Sequence, residues 1–215
     1  SQLQLDKINA WTRISWVVLG LGIFTGSIWA YRALGWGGYW AWDPIENAAL
    51  VPWLALCAAL HRKDNISRTR CILPFASACF GTFLARSGIL KDSSAHAYAG
   101  GNILISIIML ALLLVAAGLI IVTKSLKLQK ENKKQSIKEL SGIFKEKRRV
   151  FAATLIAYAA LIFIGTVTPL ISNLNTSTEY YTVISIVFVM VYSGVLLALD
   201  WETLKKRNLW MMVLS

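Results

Sequence analysis

Long apolar stretches alternate with short polar or basic segments along this chain. A helix needs about 20 apolar residues to cross a bilayer, and six stretches approach or reach that length. The second stretch is short and is expected to lean on its neighbours, and residues 209–215 resemble the first turns of a further span. The pattern predicts an all-α, polytopic transmembrane helix bundle with about six complete spans and a truncated seventh. The six predicted spans are residues 14–34, 48–60, 71–89, 103–123, 150–171 and 180–199.

Charge is distributed unequally between the two sides of this predicted bundle. Of the 22 Lys and Arg residues, 19 fall in segments on one side, and Arg32, Arg86 and Lys91 fall on the other. Basic loops are retained on the cytoplasmic or matrix side of a membrane. The net charge of +11 therefore indicates topology rather than nucleic-acid binding. Residues 35–53 and the loop around His96 are expected to face the periplasm or the intermembrane space.

The chain divides into five parts on this pattern. The basic connector between the fourth and fifth spans contains helix formers and spaced apolar residues, which is typical of a surface-lying amphipathic helix or of a solvated linker. The candidate chemistry lies in segment 35–53 and in an outer loop, 87–101. The five parts are an inner-side N-terminal segment (1–13), a four-span unit (14–123), the basic inner-side loop (124–149), two further spans (150–200), and an inner loop with the start of the truncated span (201–215).

Segment 35–53 concentrates large aromatic rings. If residues 36–43 are helical, Trp36, Tyr39 and Trp40 share one face with Asp43, whereas Trp42 points elsewhere. Scattered tryptophans usually form an aromatic belt at the membrane interface. Four large rings within seven residues, beside the flexible Gly37 and Gly38, instead favour a flat apolar slot for a large planar ligand.

Two carboxylates follow the rings. Asp43 satisfies the rules for a helix N-cap, Pro44 for the first helical position, and Glu46 for the third position of a capping box. The two carboxylates either begin the second span or contact a ligand. Both roles are compatible, because a capped helix end is rigid.

The chain has two histidines, His61 and His96. His61 is predicted at the inner end of the second span, about 27 Å along a helix from Asp43, whereas His96 is in an outer loop. The two imidazoles therefore cannot bind the same iron. The outer cation Arg86 is a candidate partner for an anionic ligand group, although snorkelling to the interface is its simpler role. The three cysteines form no C-x-x-C pair and are interpreted as packing residues.

Several motifs together resemble a known family. They are Gly-Ser-Ile-Trp-Ala-Tyr at 26–31, Gly-Trp-Gly-Gly-Tyr-Trp-Ala-Trp-Asp-Pro-Ile-Glu-Asn-Ala at 35–48, Pro-Trp-Leu at 52–54, and Arg-Ser-Gly-Ile-Leu at 86–90 with His96. This set is similar to the tryptophan-rich "WWD" haem-handling family of cytochrome c biogenesis, and closer to its CcmF branch than to CcsA. The chain departs from the usual pattern at Tyr39 and Ala41, where larger rings are common.

The resemblance implies haem binding and presentation for covalent thioether attachment to apocytochrome c. It implies haem b on an outward-facing platform with His96 as an axial ligand, and a second, membrane-embedded haem with His61 as a ligand. No catalytic acid or base is assigned, and any enzyme would be a haem lyase complex of which this chain is part. The implied cofactor-binding residues are Trp36, Gly37, Gly38, Tyr39, Trp40, Trp42, Asp43, Glu46, Asn47, Arg86, His96 and His61, with His96 and His61 as the metal ligands.

The resemblance also implies partners and a location. The partners are haem, a haem chaperone of the CcmE type, apocytochrome c, a CcmH-type thiol-presenting subunit, the remaining CcmF segments and membrane lipid, with no nucleic acid. The location is the bacterial inner membrane or the mitochondrial inner membrane. Because the chain begins at Ser1, we expect a fragment or one piece of a split protein. A haem transporter or exporter, and a non-catalytic membrane assembly subunit, are the alternative functions.

Overall fold

The computed structural model is helical throughout the residues it describes. Those residues are 2–35, 38–61, 71–91, 94–96, 98, 102–115, 118, 142–172 and 176–213. No strand occurs among them, so the predicted all-α class is confirmed for this part of the chain. The helices are α1 (Gln2–Leu34), α2 (Pro44–His61), α3 (Ile72–Ser87), α4 (Ile103–Val115), α5 (Gly142–Ile171) and α6 (Thr178–Val213).

Three helical segments within the described residues are long and apolar enough to cross a membrane. They are Lys7–Leu34, Arg149–Ile171 and Thr178–Leu197. The helices α3 and α4 are apolar but shorter. These lengths and compositions indicate an integral membrane protein, while the count of six spans and a seventh stays a prediction.

The helix α2 lies at the centre of the bundle. It packs against α1, α3 and α5, and α6 packs against α5. Its residues Val51, Leu54 and Ala58 join a core with α5, in which Ile162 is completely buried. This burial explains how a short apolar helix is held, since its neighbours cover the surface that a longer span would expose to lipid.

Small residues bring α2 and α3 close together. A Cβ atom added at Gly81 would lie 2.9 Å from the carbonyl oxygen of Ala48. Helices in membranes gain much of their association energy from such close backbone contact. Gly81 therefore sets the distance between these two helices.

The last helix extends beyond the end of the predicted sixth span. That span was predicted to end at residue 199, whereas α6 continues without a break from Thr178 to Val213; the assignment of residues 201–215 to an inner loop and a truncated span stays a prediction. The sequence Trp-Glu-Thr-Leu-Lys-Lys-Arg at 201–207 contains good helix formers and neither Gly nor Pro, so nothing local ends the helix. Likewise α5 begins at Gly142, and so includes the last part of the predicted basic loop.

The helical arrangement considered for residues 36–43 does not occur in the described part. Residues 38–43 are not helical, and Trp42 has a φ of 58°. The following Pro44 also disfavours helical geometry at Asp43. Residues 38–43 therefore form a loop that ends at the start of α2, and the rings of Tyr39, Trp40 and Trp42 do not share a helix face. Trp36 and Gly37 lie outside the described residues.

Candidate functional site

Four separate parts of the chain meet at one end of the bundle. They are the last turns of α1, the first turn of α2, residues 94–96 after α3, and the first turns of α6. The chain direction explains this meeting, because α1 and α3 end where α2 and α6 begin. The aromatic segment 38–43 leads into this end, which we call the α2 N-terminal site.

A capping box begins α2, as predicted. The Asp43 carboxylate accepts a hydrogen bond from the Ile45 backbone N–H at 2.8 Å. In return, the Glu46 carboxylate accepts hydrogen bonds from the backbone N–H groups of Asp43 at 3.2 Å and Ala41 at 3.0 Å. Both acidic side chains are buried, and they stand at the positive end of the helix dipole.

Glu46 lies just before the predicted span 48–60, in the first turn of α2. Burial raises the pKa of its carboxyl above the ordinary value, although the two backbone N–H donors act in the opposite direction. The desolvation effect is the larger because a buried carboxylate loses its hydration. Glu46 therefore binds its proton more firmly in the folded protein than in the unfolded chain.

The same Asp43 oxygen connects α2 to the segment that follows α3. Ser94 donates its hydroxyl hydrogen to Asp43 Oδ1 at 2.7 Å and accepts a hydrogen bond from the His96 backbone N–H at 3.1 Å. The His96 Nδ1 atom lies 3.4 Å from Asp43 Oδ1. The predicted meeting of His96 with the end of the aromatic segment is therefore present in the structure.

His96 is covered on another side by a ring of α1. The Trp29 ring centre lies 5.7 Å from that of the imidazole, with the planes inclined by 54°. The His96 side chain retains 19% of its accessible surface, and Trp29 is itself exposed. The imidazole is thus oriented by neighbours while remaining reachable from outside.

Trp42 adopts a strained backbone conformation that its neighbours hold. A positive φ is rare for a bulky residue. The Asn47 Nδ2 donates a hydrogen bond to the Trp42 carbonyl at 3.1 Å, and the Trp42 indole stacks on Tyr181 of α6 with ring centres 5.4 Å apart. Asn47 is fully buried, so the loop is anchored directly in the helix that it precedes.

The remaining rings of the segment make two pairs. Trp40 packs edge-on against Trp42 at 5.9 Å, and its buried indole Nε1 has no hydrogen-bond partner among the described residues. Tyr39 stacks on Tyr31 of α1 at 4.5 Å, and both rings are exposed. Aromatic surface therefore continues from the loop onto the end of α1.

Arg86 occupies the last turn of α3, near the same end of the bundle. Its guanidinium lies 5.5 Å from the ring centre of Tyr98, a cation–π distance. The Tyr98 backbone N–H donates to the Ala85 carbonyl at 3.1 Å, which holds Tyr98 beside α3. Arg86 is exposed, so its charge is available to an anionic group.

His61 is at the opposite end of α2. Its Nδ1 atom lies 2.9 Å from the Cys57 carbonyl oxygen, and its ring centre lies 6.1 Å from that of Phe151 in α5. An 18-residue helix separates the two ends by about 27 Å. The structure thus keeps His61 apart from Asp43 and from the neighbouring His96, as the sequence predicted.

Sequence reasoning found several of these residues and missed others. The predicted residues that meet at the α2 N-terminal site are Tyr39, Trp40, Trp42, Asp43, Glu46, Asn47 and His96. Gly38 precedes them in the loop. Trp29, Tyr31, Ser94 and Tyr181 were not assigned to the site, because contacts between distant segments leave no local pattern. Trp29 and Tyr31 do fall within the motif at 26–31 that contributes to the family resemblance, whereas the signal for Ser94 and Tyr181 is their position near an outer helix end.

Comparison with protein families identifies a match in the first part of the chain. A model of the family described as cytochrome C assembly protein matches residues 2–90. The cytochrome c-type biogenesis protein ccl1 of Rhodobacter capsulatus is 36% identical over 177 residues, which are 78% of this chain and 26% of that protein. The chain belongs to the cytochrome c assembly protein family.

Other members of the family are more similar over a shorter part. CycK of Bradyrhizobium diazoefficiens is 48% identical over 101 residues, covering 43% of this chain and 15% of that protein. CcmF of Escherichia coli is 44% identical over 98 residues, covering 41% of this chain and 15% of that protein. The chain thus spans about a quarter or less of the length of these relatives. No solved structure matches it.

Proposed function

We propose that this chain binds haem b at the α2 N-terminal site and presents it for covalent attachment to apocytochrome c. The observation that carries the proposal is the position of His96. Its imidazole lies beside Asp43, where the tryptophan-rich loop enters α2, and against Trp29. One potential axial ligand and several aromatic rings therefore occur at the same end of the bundle. The names of the relatives, which are cytochrome c-type biogenesis proteins, support the same role.

The residues present suit a porphyrin better than a bare metal ion. Among the described residues, no group of three or more His, Cys, Asp or Glu side chains could hold a metal ion. A haem iron needs one or two axial ligands from the protein, because the macrocycle supplies the other four. His96 provides one imidazole, the exposed rings of Tyr31 and Tyr39 provide flat apolar surface, and Arg86 provides a cation for the propionates.

The contribution of the chain would be mainly orientation. Bound haem supplies the iron and the vinyl groups, and the apocytochrome supplies the thiols. Thioether formation adds the S–H group across the vinyl double bond, so a C–S and a C–H bond replace the S–H and the π bond without an external oxidant. His96 would hold the haem, the rings would exclude water, and Arg86 would orient the propionates. A fixed geometry of this kind lowers the entropic cost of the reaction.

His61 would bind a second haem at the other end of α2. The site is separated from His96 by the length of the helix, so the two imidazoles would serve different irons. Each bis-histidine site would require a second imidazole from another segment or subunit of the complex. This assignment follows the family resemblance and the position of His61 beside Phe151.

The proposed setting is a multi-pass protein with the α2 N-terminal site on the outer side. The membrane would be the bacterial inner membrane or the mitochondrial inner membrane. A CcmE-type chaperone would deliver haem, a CcmH-type subunit would present the apocytochrome thiols, and the remaining CcmF segments would complete the bundle. The chain would then be one part of a haem lyase complex, and it would contribute six spans and the start of a seventh.

Absorption spectroscopy of the complex in mild detergent tests the proposal. We expect the His96→Ala variant to lose the signal of the outer haem only, and the His61→Ala variant to lose that of the embedded haem only. An unchanged Soret band in His96→Ala would contradict the role of His96. A complex that binds haem but never co-purifies with an apocytochrome C-x-x-C-H peptide would indicate haem transport instead, and a complex with no Soret band would indicate a structural assembly subunit.

A further inference from the structure

Asp43 lies beside the His96 imidazole, and Ser94 connects Asp43 to the backbone of His96. We propose that they are positioning residues, which fix the orientation and the tautomer of His96 so that Nε2 carries the lone pair directed at the ligand. The proposal rests on the proposed function in one respect, that His96 binds the haem iron. Neither residue would touch the haem.

Asp43 is a rigid acceptor. Its Oδ1 atom already receives hydrogen bonds from the Ile45 backbone N–H at 2.8 Å and from the Ser94 hydroxyl at 2.7 Å. Its side chain retains only 6% of its accessible surface, and Glu46 holds its backbone N–H at 3.2 Å. The carboxylate cannot rotate without breaking the cap of α2. A fixed carboxylate can therefore set the position of a group that binds to it.

Ser94 connects the carboxylate to the backbone of His96. Its hydroxyl donates to Asp43 and accepts from the His96 N–H at 3.1 Å. The Ser94 backbone N–H in turn donates to the Leu90 carbonyl at 2.9 Å, and both residues are buried. The Ser94 hydroxyl thus holds the segment 94–96 in place relative to α2. The backbone of His96 is therefore fixed relative to the Asp43 carboxylate.

The tautomer follows from the atom that faces Asp43. A neutral imidazole carries one N–H, and a carboxylate beside one ring nitrogen stabilises the proton there. The nitrogen nearest to Asp43 Oδ1 is Nδ1, at 3.4 Å. This contact is longer than the about 2.7–2.9 Å of a charge-assisted hydrogen bond, and the two atoms are not hydrogen-bonded in this structure. A shift of a few tenths of an ångström would form the bond, and that bond would hold the proton on Nδ1. Metal-binding histidines commonly have this arrangement, in which the other ring nitrogen donates to a carboxylate.

Trp29 limits the remaining freedom of the ring. Its indole lies 5.7 Å from the imidazole centre and is inclined by 54°, so it covers one side of the ring. A 180° flip about the Cβ–Cγ bond of His96 would place Cδ2 where Nδ1 now lies and would remove the contact between Nδ1 and Asp43. The arrangement therefore favours one orientation before any ligand binds.

The first experiment measures the tautomer in the haem-free protein. Because the chain has two histidines, the His61→Ala background leaves one imidazole in this chain. With the ¹⁵N-histidine label confined to this chain, NMR can observe that imidazole in the detergent-solubilised complex. We expect the Nδ1–H tautomer. Asp43→Ser should convert a large part of it to Nε2–H, because Ser remains a good N-cap but its hydroxyl is too short to reach the ring. Asp43→Asn, which keeps an acceptor without the charge, should lie between them.

The second experiment measures haem binding by the same variants. We expect Asp43→Ser to weaken haem retention at His96 by about 10–100-fold, the range for loss of a carboxylate behind a metal-binding histidine, and to raise the reduction potential of that haem. Ser94→Ala should have a smaller effect in the same direction. The matched control is Asn102→Ser, since Asn102 accepts hydrogen bonds from Leu104 and Ile105 at the start of α4 and is not part of the site.

The possible results separate the two proposals. An unchanged tautomer in Asp43→Ser would overturn the positioning role, even if His96 binds haem. A spectroscopic change in Asp43→Ser that Asn102→Ser reproduces would also overturn it, since Asp43 would then act only as a helix cap. If instead the tautomer shifts as expected but His96→Ala keeps the outer haem, the proposed function fails while the contact between Asp43 and His96 is supported.

Discussion

At the scale of single residues, one carboxylate oxygen at the start of α2 both caps the helix and lies beside the proposed haem ligand. Asp43 Oδ1 caps the helix, receives the Ser94 hydroxyl and faces His96. The sequence left open whether the carboxylates cap the helix or contact a ligand. The structure shows that Asp43 and Glu46 cap it, and that Asp43 also reaches His96. Because one side chain contacts several groups, its replacement changes several interactions at once. Each variant is therefore compared with a control variant that removes only one of these interactions.

Glu46→Gln should change the dependence of stability on pH. The pKa of Glu46 is raised in the folded state, so its contribution to stability is fully present below the ordinary value of 4.5 and is lost as the pH rises through the raised folded value. The amide oxygen of Gln can still accept from Ala41 and Asp43. We therefore expect the variant to gain thermal stability relative to the wild type as the pH rises above 4.5, and to lose none of the cap.

Thermal unfolding of the complex in detergent across this pH range measures the effect. Glu46→Ala is the control, because it removes the acceptor together with the charge and should be destabilised at every pH. A stability difference between Glu46→Gln and the wild type that does not vary with pH would contradict the raised pKa.

Asn47→Ala should loosen the aromatic loop. It removes the hydrogen bond to the Trp42 carbonyl, which helps to hold Trp42 at its positive φ. Loss of a buried hydrogen bond with an unsatisfied partner costs about 1–3 kcal/mol. We expect a lower unfolding temperature and greater quenching of tryptophan fluorescence by an aqueous quencher, because Trp42 would leave its stack on Tyr181. The exposed Asn102→Ala should change stability less and leave the quenching unaltered.

At the scale of helices, close packing around α2 determines where the site residues stand. The core of α2 and α5 is built from interlocking apolar side chains, whereas the α2–α3 contact depends on the missing side chain of Gly81. Because Ser94 and His96 follow α3, the distance between α2 and α3 also affects the contact with Asp43. Helix packing and site geometry are therefore coupled.

Gly81→Ala should separate α2 from α3. Its new Cβ would lie 2.9 Å from the Ala48 carbonyl oxygen, and a backbone atom cannot move aside without shifting the helix. Overpacking of this kind costs about 1–3 kcal/mol. We expect lower thermal stability and weaker retention of the outer haem. The matched control is Gly22→Ala in α1, where the added Cβ would meet nothing within 4 Å, and where replacing a helical glycine should be neutral or stabilising. Equal behaviour of the two variants would show that the contact at Gly81 does not limit stability.

At the scale of the whole molecule, the bundle has two chemically different ends. One end contains the aromatic loop, Asp43 and His96, and the other contains His61 beside Phe151. In the sequence, the basic segment 62–70 directly follows His61. The inside-positive rule then predicts that the aromatic end is outside, although orientation is a property of the membrane and not of the folded chain alone.

Cysteine labelling tests this orientation. After replacement of Cys57, Cys71 and Cys79, a single cysteine is introduced at the exposed Tyr39 in one variant and at the exposed Asn9 in another. We expect a membrane-impermeant maleimide to label Tyr39→Cys in intact cells or mitoplasts, and Asn9→Cys only after the membrane is permeabilised. The reverse pattern would place the α2 N-terminal site on the inner side.

The amino-acid sequence by itself determined the local features of this protein. Apolar runs predicted the helices. A helix can be predicted from a short stretch of sequence because its hydrogen bonds join residues only four positions apart. The Asp-Pro-Ile-Glu sequence at 43–46 predicted the capping box, whose hydrogen bonds are also local. The family motifs identified the aromatic segment and His96. The continuous helix through residues 201–207 could also have been predicted, since it follows from local helix propensity.

Only the tertiary structure decided how these parts combine into a site. Ser94 lies 51 positions from Asp43, and Tyr181 and Trp29 lie on helices far from their partners in sequence, so no periodicity relates them. The loop conformation at Trp42 likewise depends on Asn47 and on Tyr181 of α6, which together hold a backbone angle that a tryptophan seldom adopts. The physical reason is that packing energy depends on surfaces brought together by the whole bundle, and hydrogen-bond geometry at the site depends on distances between helices that no single segment specifies.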